Sequence, residues 1–137
     1  MTGQETRRIA RAAALYAAAL LAAGFALGTL RVLALAPRVG EVAAVALELP
    51  LMLGLAWLVA ARLRRSRTGP GTGGALLGMG ALAVVLLLCA EAGLAAGMFG
   101  QTVAGFLAGL ATPHGLLGLA GQMVSGIIPW LENRARG

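Results

Sequence analysis

The chain has 137 residues, enough for one domain, yet 59% are hydrophobic, 12% are charged and the mean hydropathy is +0.86. A soluble domain carries about 25% charged residues, so this composition excludes that class and points to an integral membrane protein. The net charge of +6 comes from eleven arginines against five glutamates. The arginines sit at the ends of apolar segments, which is the placement that membrane orientation requires.

Residues 1–8, MTGQETRR, are polar and read as frayed. Arg7, Arg8 and Arg11 then precede an uncharged run from Ala12 to Leu30. That run exceeds the roughly 7–15 residues of a signal-peptide core, so the pattern predicts a retained first transmembrane helix over 9–36. Gly24 and Gly28 form a GxxxG pair. It reads equally as a close helix contact and as chance in a chain rich in Gly and Ala.

Pro37-Arg38-Val39-Gly40 reads as a turn, and a second helix is predicted over 40–61. Two arginines, Arg31 and Arg38, stand seven apart before the turn, and two glutamates, Glu41 and Glu48, stand seven apart after it. An antiparallel hairpin folded about the turn sets Arg38 beside Glu41 and Arg31 at the depth of Glu48, because seven residues are close to two helical turns. Pro50 frees the carbonyl of Ala46 and favours a kink. Trp57 suits an interfacial anchor.

Residues 62–74 read as a basic, flexible loop rich in Gly and Pro. Its Arg62, Arg64, Arg65 and Arg67 are expected to rest on anionic headgroups, each with about 1 kcal/mol of attraction. Nucleic-acid binding is not expected, because the loop has no aromatic residue for base stacking. A third helix is predicted over 75–99 and carries Glu91. A short uncharged connection, 100–102, leads to a fourth over 103–131, with His114 as its only titratable side chain. Thr112-Pro113 marks a kink, Gly115, Gly118 and Gly121 give a surface of small residues, and Trp130 sits at the far interface.

Three arginines at the N-terminus, four in the 62–74 loop and two in the tail fall on one side, against two on the other. The positive-inside rule places both termini in the cytoplasm, giving an expected bacterial inner-membrane protein. Helical rise sets Arg31, Glu48 and Glu91 about 9–14 Å inside the outer helix ends, with His114 deeper. Such residues are costly facing lipid and are expected to point inward and meet.

This cluster has two readings. Glu48 and Glu91, tuned by Arg31, form a proton or cation site; or Arg31 and Glu48 neutralise each other and lock the hairpin, with Glu91 protonated or bonded to His114 or a partner. A lone histidine is weak evidence for a metal ligand. The single cysteine, Cys89, can form no intramolecular disulfide. No Ser/His/Asp set is available, because the chain has no aspartate. No cofactor, metal or catalytic site is expected.

The segment Gly24–Trp57, with its GTLR…APR.GE…ELP run, and the stretches Thr112-Pro113-His114-Gly115 and Gly118–Gln122 resemble a group of small bacterial four-helix membrane proteins of no known activity. The resemblance implies a four-helix inner-membrane protein with signature positions Arg31, Pro37, Arg38, Gly40, Glu41, Glu48 and Pro50. Small multidrug transporters are similar in size, but their essential glutamate belongs in the first helix, which here has none. The expected fold is an all-α, integral-membrane four-helix bundle of two antiparallel transmembrane hairpins, 1–137, in a single domain. The expected role is non-enzymatic: an accessory subunit that packs with other membrane proteins or with itself in the lipid bilayer. The alternative is a minimal proton- or ion-coupled transporter or channel that uses the Arg/Glu cluster.

Overall fold

The computed structural model describes residues 2–136, and every regular element among them is helical. The elements are α1 (Gly3–Leu30), a π-helical turn (Arg31–Leu35), α2 (Ala36–Val39), α3 (Glu41–Arg65), α4 (Gly73–Phe99), α5 (Val103–Leu110) and α6 (Pro113–Arg136). Three helical stretches, Gly3–Val39, Glu41–Arg65 and Gly73–Phe99, are long and apolar enough to cross a membrane, and α5 with α6 make a fourth if the bent pair counts as one span.

The first helix begins earlier than expected. Thr2 caps it by accepting a hydrogen bond from the Glu5 amide at 3.1 Å, the hydroxyl half of a capping-box pattern. The segment read as frayed is therefore helical from Gly3. At the other end the expected turn at Pro37–Gly40 shrinks to Gly40 alone, with φ +89°. Pro37 instead lies inside the helical path. Its ring displaces the carbonyl four residues back, and the π-helical turn just before it, with the Ala36 amide bonded to the Arg31 carbonyl, accommodates that strain by widening the helix. Gly40 then reverses the chain, a conformation that a side chain rarely adopts.

The basic connection is also shorter than expected. Helix α3 continues to Arg65, so Arg62, Arg64 and Arg65 form its last turn, where cations complement the carbonyl end of the dipole. Thr72 caps α4 through the Ala75 amide at 3.3 Å. Gly100, left-handed at φ +63°, ends it, as glycine does after many helices.

The fourth predicted helix is broken, not merely kinked: α5 and α6 meet at 86°. Pro113 cannot donate to the carbonyl of Gly109 and crowds it. The Thr112 hydroxyl donates to that carbonyl at 2.6 Å and accepts from the Gly115 amide at 3.2 Å. A Cβ on Gly115 would overlap the Gly109 carbonyl. The Thr112-Pro113-His114-Gly115 stretch is thus a corner.

Helix α1 packs on α3 and α4, and α6 packs on the same two, so the order around the molecule is α1, α3, α6, α4. The loop between α3 and α4 joins helices that lie diagonally opposite. In the half that carries Thr2 and Arg136, small residues allow tight packing. Ala12, Ala13, Tyr16 and Leu20 of α1 meet Ala56 and Ala60 of α3, Leu76, Met79 and Ala83 of α4, and Ile128 of α6. Helices α4 and α6 approach closely, so that a Cβ on Gly80 would overlap the Gly126 carbonyl. The Gly24/Gly28 pair makes no comparable approach: a Cβ on Gly24 would reach only Met52 at 3.7 Å. Tyr16 crosses the diagonal and donates to the Ser125 carbonyl at 2.6 Å. That carbonyl lies four residues before Pro129, so Tyr16 replaces the bond that the proline removes.

Candidate functional site

The opposite half is looser and holds a cavity of about 470 Å³. Its polar lining comes from Arg31, Glu48, Glu91, Gln101, His114 and Gln122, with Ser125 at its deeper end. All four residues of the predicted polar cluster therefore line one space, although not as one bonded network.

Arg31 and Glu48 approach to 2.9 Å between Nε and Oε2, with side chains 25% and 15% exposed. The Nε–H is not directed at the oxygen and has no other acceptor, so the contact is ionic without being a well-formed hydrogen bond. The pair forms because Arg31 begins the π-helical turn and Glu48 lies two turns into α3, at matching depths across the Gly40 reversal.

Glu91 bonds neither Arg31 nor His114. Its Oε1 accepts from Gln122 Nε2 of α6 at 2.6 Å. The remaining Gln122 atom, Oε1, is buried and has no partner. His114 Nε2 comes no closer than 3.5 Å to the hydroxyl of Thr112. Sequence reasoning passed over Gln122 as a functional group. Its signal was an isolated amide eight residues beyond His114, in an otherwise apolar stretch of α6.

Two expectations are corrected. Arg38 and Glu41 do not pair: both are exposed, and the ion pairs among the described residues are Arg31–Glu48, Arg64–Glu132 and Arg136–Glu132. With the reversal confined to Gly40, positions 38 and 41 are not set face to face. Arg64, expected to rest wholly on headgroups, is partly engaged within the fold, with its side chain 34% exposed. Its Nε donates to both carboxylate oxygens of Glu132, at 2.9 and 3.1 Å, and Glu132 is only 1% exposed. Arg136 adds a 3.4 Å contact from one turn along α6. Arg62, Arg65 and Arg67 remain exposed. Nearby, Arg134 lies 5.1 Å from the centroid of the Trp130 ring, a cation–π distance.

No group of three or more His, Cys, Asp or Glu side chains among the described residues could hold a metal ion. No protein-family profile matches the chain, and no curated protein or solved structure is detectably similar to it. Geometry alone defines the site. It offers one ion pair, one amide-bonded carboxyl and one imidazole, in a space large enough for a small molecule.

Proposed function

We propose that this chain is a multi-pass membrane protein that admits a small solute or ion into the cavity between its helices, with no chemical reaction performed there. In this reading the helices form a bundle of two antiparallel transmembrane hairpins, the second broken at Thr112-Pro113, and both termini lie in the cytoplasm. The exposed Leu33, Leu47, Leu51, Leu58 and Val85 support immersion in lipid, since a water-soluble monomer rarely shows apolar surface on this scale. The arginine-rich half then faces the cytoplasm, and the cavity lies in the other half.

The observation that carries the proposal is the cavity itself. Its volume lies within the roughly 300–1,000 Å³ of small-molecule sites, and it combines mostly apolar walls with a few convergent polar groups. A purely structural ion pair requires no such space. Ionisable side chains inside a membrane segment are a functional-site signal by default.

The test is reconstitution of the purified protein into liposomes loaded with a pH-sensitive dye or, in parallel, with a cation-sensitive dye, under an imposed membrane potential. Proton or cation flux should appear with the native chain and fall at least tenfold in Glu48→Gln and Glu91→Gln, with both variants eluting as the native protein does. No flux above empty liposomes would remove the conducting role.

A second reading, an accessory subunit that packs with other membrane proteins or with itself, is favoured by Gly93 and Gly97 of α4. Both are exposed, and each has open space where a Cβ would stand. Glycines at this spacing allow a facing helix to approach closely. Size analysis after mild-detergent purification, with identification of co-eluting proteins, tests it.

A further inference from the structure

We propose that the cavity's ligand is an amphipathic organic monocation with an ammonium or guanidinium head that donates hydrogen bonds and an apolar body. The head binds at the Glu91–Gln122 pair. The inference rests on the reading of the cavity as a solute site and adds its chemical class.

Three observations select this class. The first is charge. Arg31 and Glu48 already neutralise each other at 2.9 Å, whereas Glu91 has only a neutral amide for a partner. Ionised, the charged side chains lining the cavity leave one negative charge over, and it belongs to Glu91. A cation balances it, and an anion would add a second uncompensated charge in a poorly solvated space.

The second is hydrogen bonding. Gln122 Nε2 donates to only one carboxylate oxygen of Glu91, Oε1, and no other side chain among the described residues bonds Oε2. Unlike Gln122 Oε1, that oxygen is not sealed off from the cavity. An N–H of the ligand head donates to it, and the charge on both partners strengthens the bond. A bare metal ion fits less well, because no metal-ligating cluster exists among the described residues.

The third is size and wall chemistry. About 470 Å³ is far more than an ammonium group occupies. The space beyond the polar pair is walled by apolar side chains such as Phe25, Leu53, Leu94, Phe106 and Leu119. Aliphatic and aromatic walls take an apolar body, and ring faces also attract a cation.

The experiment uses three probes with one body and different heads: phenylbutylammonium, phenylbutanol and phenylbutyrate. Each is titrated calorimetrically into the purified full-length protein in a neutral detergent. Saturable binding of the ammonium compound is expected, at least tenfold tighter than either of the others. Glu91→Gln should remove that preference, Gln122→Leu should weaken ammonium binding severalfold, and Glu91→Asp should retain the preference. Gly118→Leu, placed where a Cβ on the cavity lining meets open space, should weaken binding of every probe by occupying part of the site.

Equal affinity for the three heads, or an ammonium preference that survives Glu91→Gln, would overturn the cation assignment. If binding were still weakened in Gly118→Leu, the cavity would stand as a solute site of another class. If no probe bound above detergent partitioning and Gly118→Leu changed nothing, the solute-site reading would fall with it. Native-like elution and helicity of each variant keep these outcomes separate from misfolding.

Discussion

Removing the guanidinium of Arg64 should destabilise the fold far more than removing that of Arg65 one position along. Glu132 is 1% exposed, and Arg64 Nε contacts both of its oxygens at 2.9 and 3.1 Å. Breaking a buried pair by deleting one partner costs roughly 3–5 kcal/mol, because the other charge stays behind uncompensated. Two features reduce that figure here. Arg64 is itself 34% exposed, and Arg136 stays 3.4 Å from the carboxylate and can close further. Arg64→Ala should therefore cost about 2–3 kcal/mol, whereas Arg65→Ala, at an exposed position, should cost less than about 0.5 kcal/mol. Glu132→Ala removes the buried charge and lets Arg64 turn to water, so it should cost no more than Arg64→Ala. The double variant should recover about 1–2 kcal/mol of the summed losses. Reversible unfolding in bicelles, followed through the fluorescence of Trp57 and Trp130, measures all four. A coupling energy below about 0.5 kcal/mol would refute the pairing.

The same cycle on Arg31→Ala and Glu48→Ala should give a smaller coupling, about 1 kcal/mol, because that pair borders a cavity and its N–H is poorly aimed. Additive losses there would show that the two side chains act independently. Gly80→Ala should destabilise by roughly 1–3 kcal/mol or prevent folding, since the new methyl would overlap the Gly126 carbonyl. Gly78→Ala, with open space at its Cβ, should be neutral or slightly stabilising in the same unfolding assay. Equal effects at the two positions would contradict the close α4–α6 crossing.

Much of the architecture is legible from the chain alone. Long uncharged runs cannot satisfy their backbone in an apolar setting except as helices, so α1, α3 and α4 follow from hydropathy. The Pro37–Gly40 stretch locates the reversal to within a few residues, and the matched spacing of Arg31 and Glu48 on either side of it is enough to bring them together. Both are local: the partners lie within one hairpin, where depth is simple arithmetic on helical rise. The position of the corner at Thr112-Pro113 was also readable from the proline, though its 86° angle was not. That angle depends on the Thr112 hydroxyl capturing the freed Gly109 carbonyl.

Tertiary structure decided everything that depends on how each helix is turned about its axis. Apart from Glu91, helix α4 is apolar all round, so hydropathy cannot say which residues meet α6, and only packing set Gly80 against Gly126 and Glu91 against Gln122. The ring order α1, α3, α6, α4 places α3 and α6 side by side although the whole of α4 and α5 separates them in the chain. Arg64 and Glu132 are 68 residues apart, and nothing local distinguishes Arg64 from its neighbours Arg62 and Arg65. Composition and rise along the chain determine where helices lie and how deep each charge sits. Which charges meet is a rotational question, answered when side chains from non-adjacent helices pack against one another.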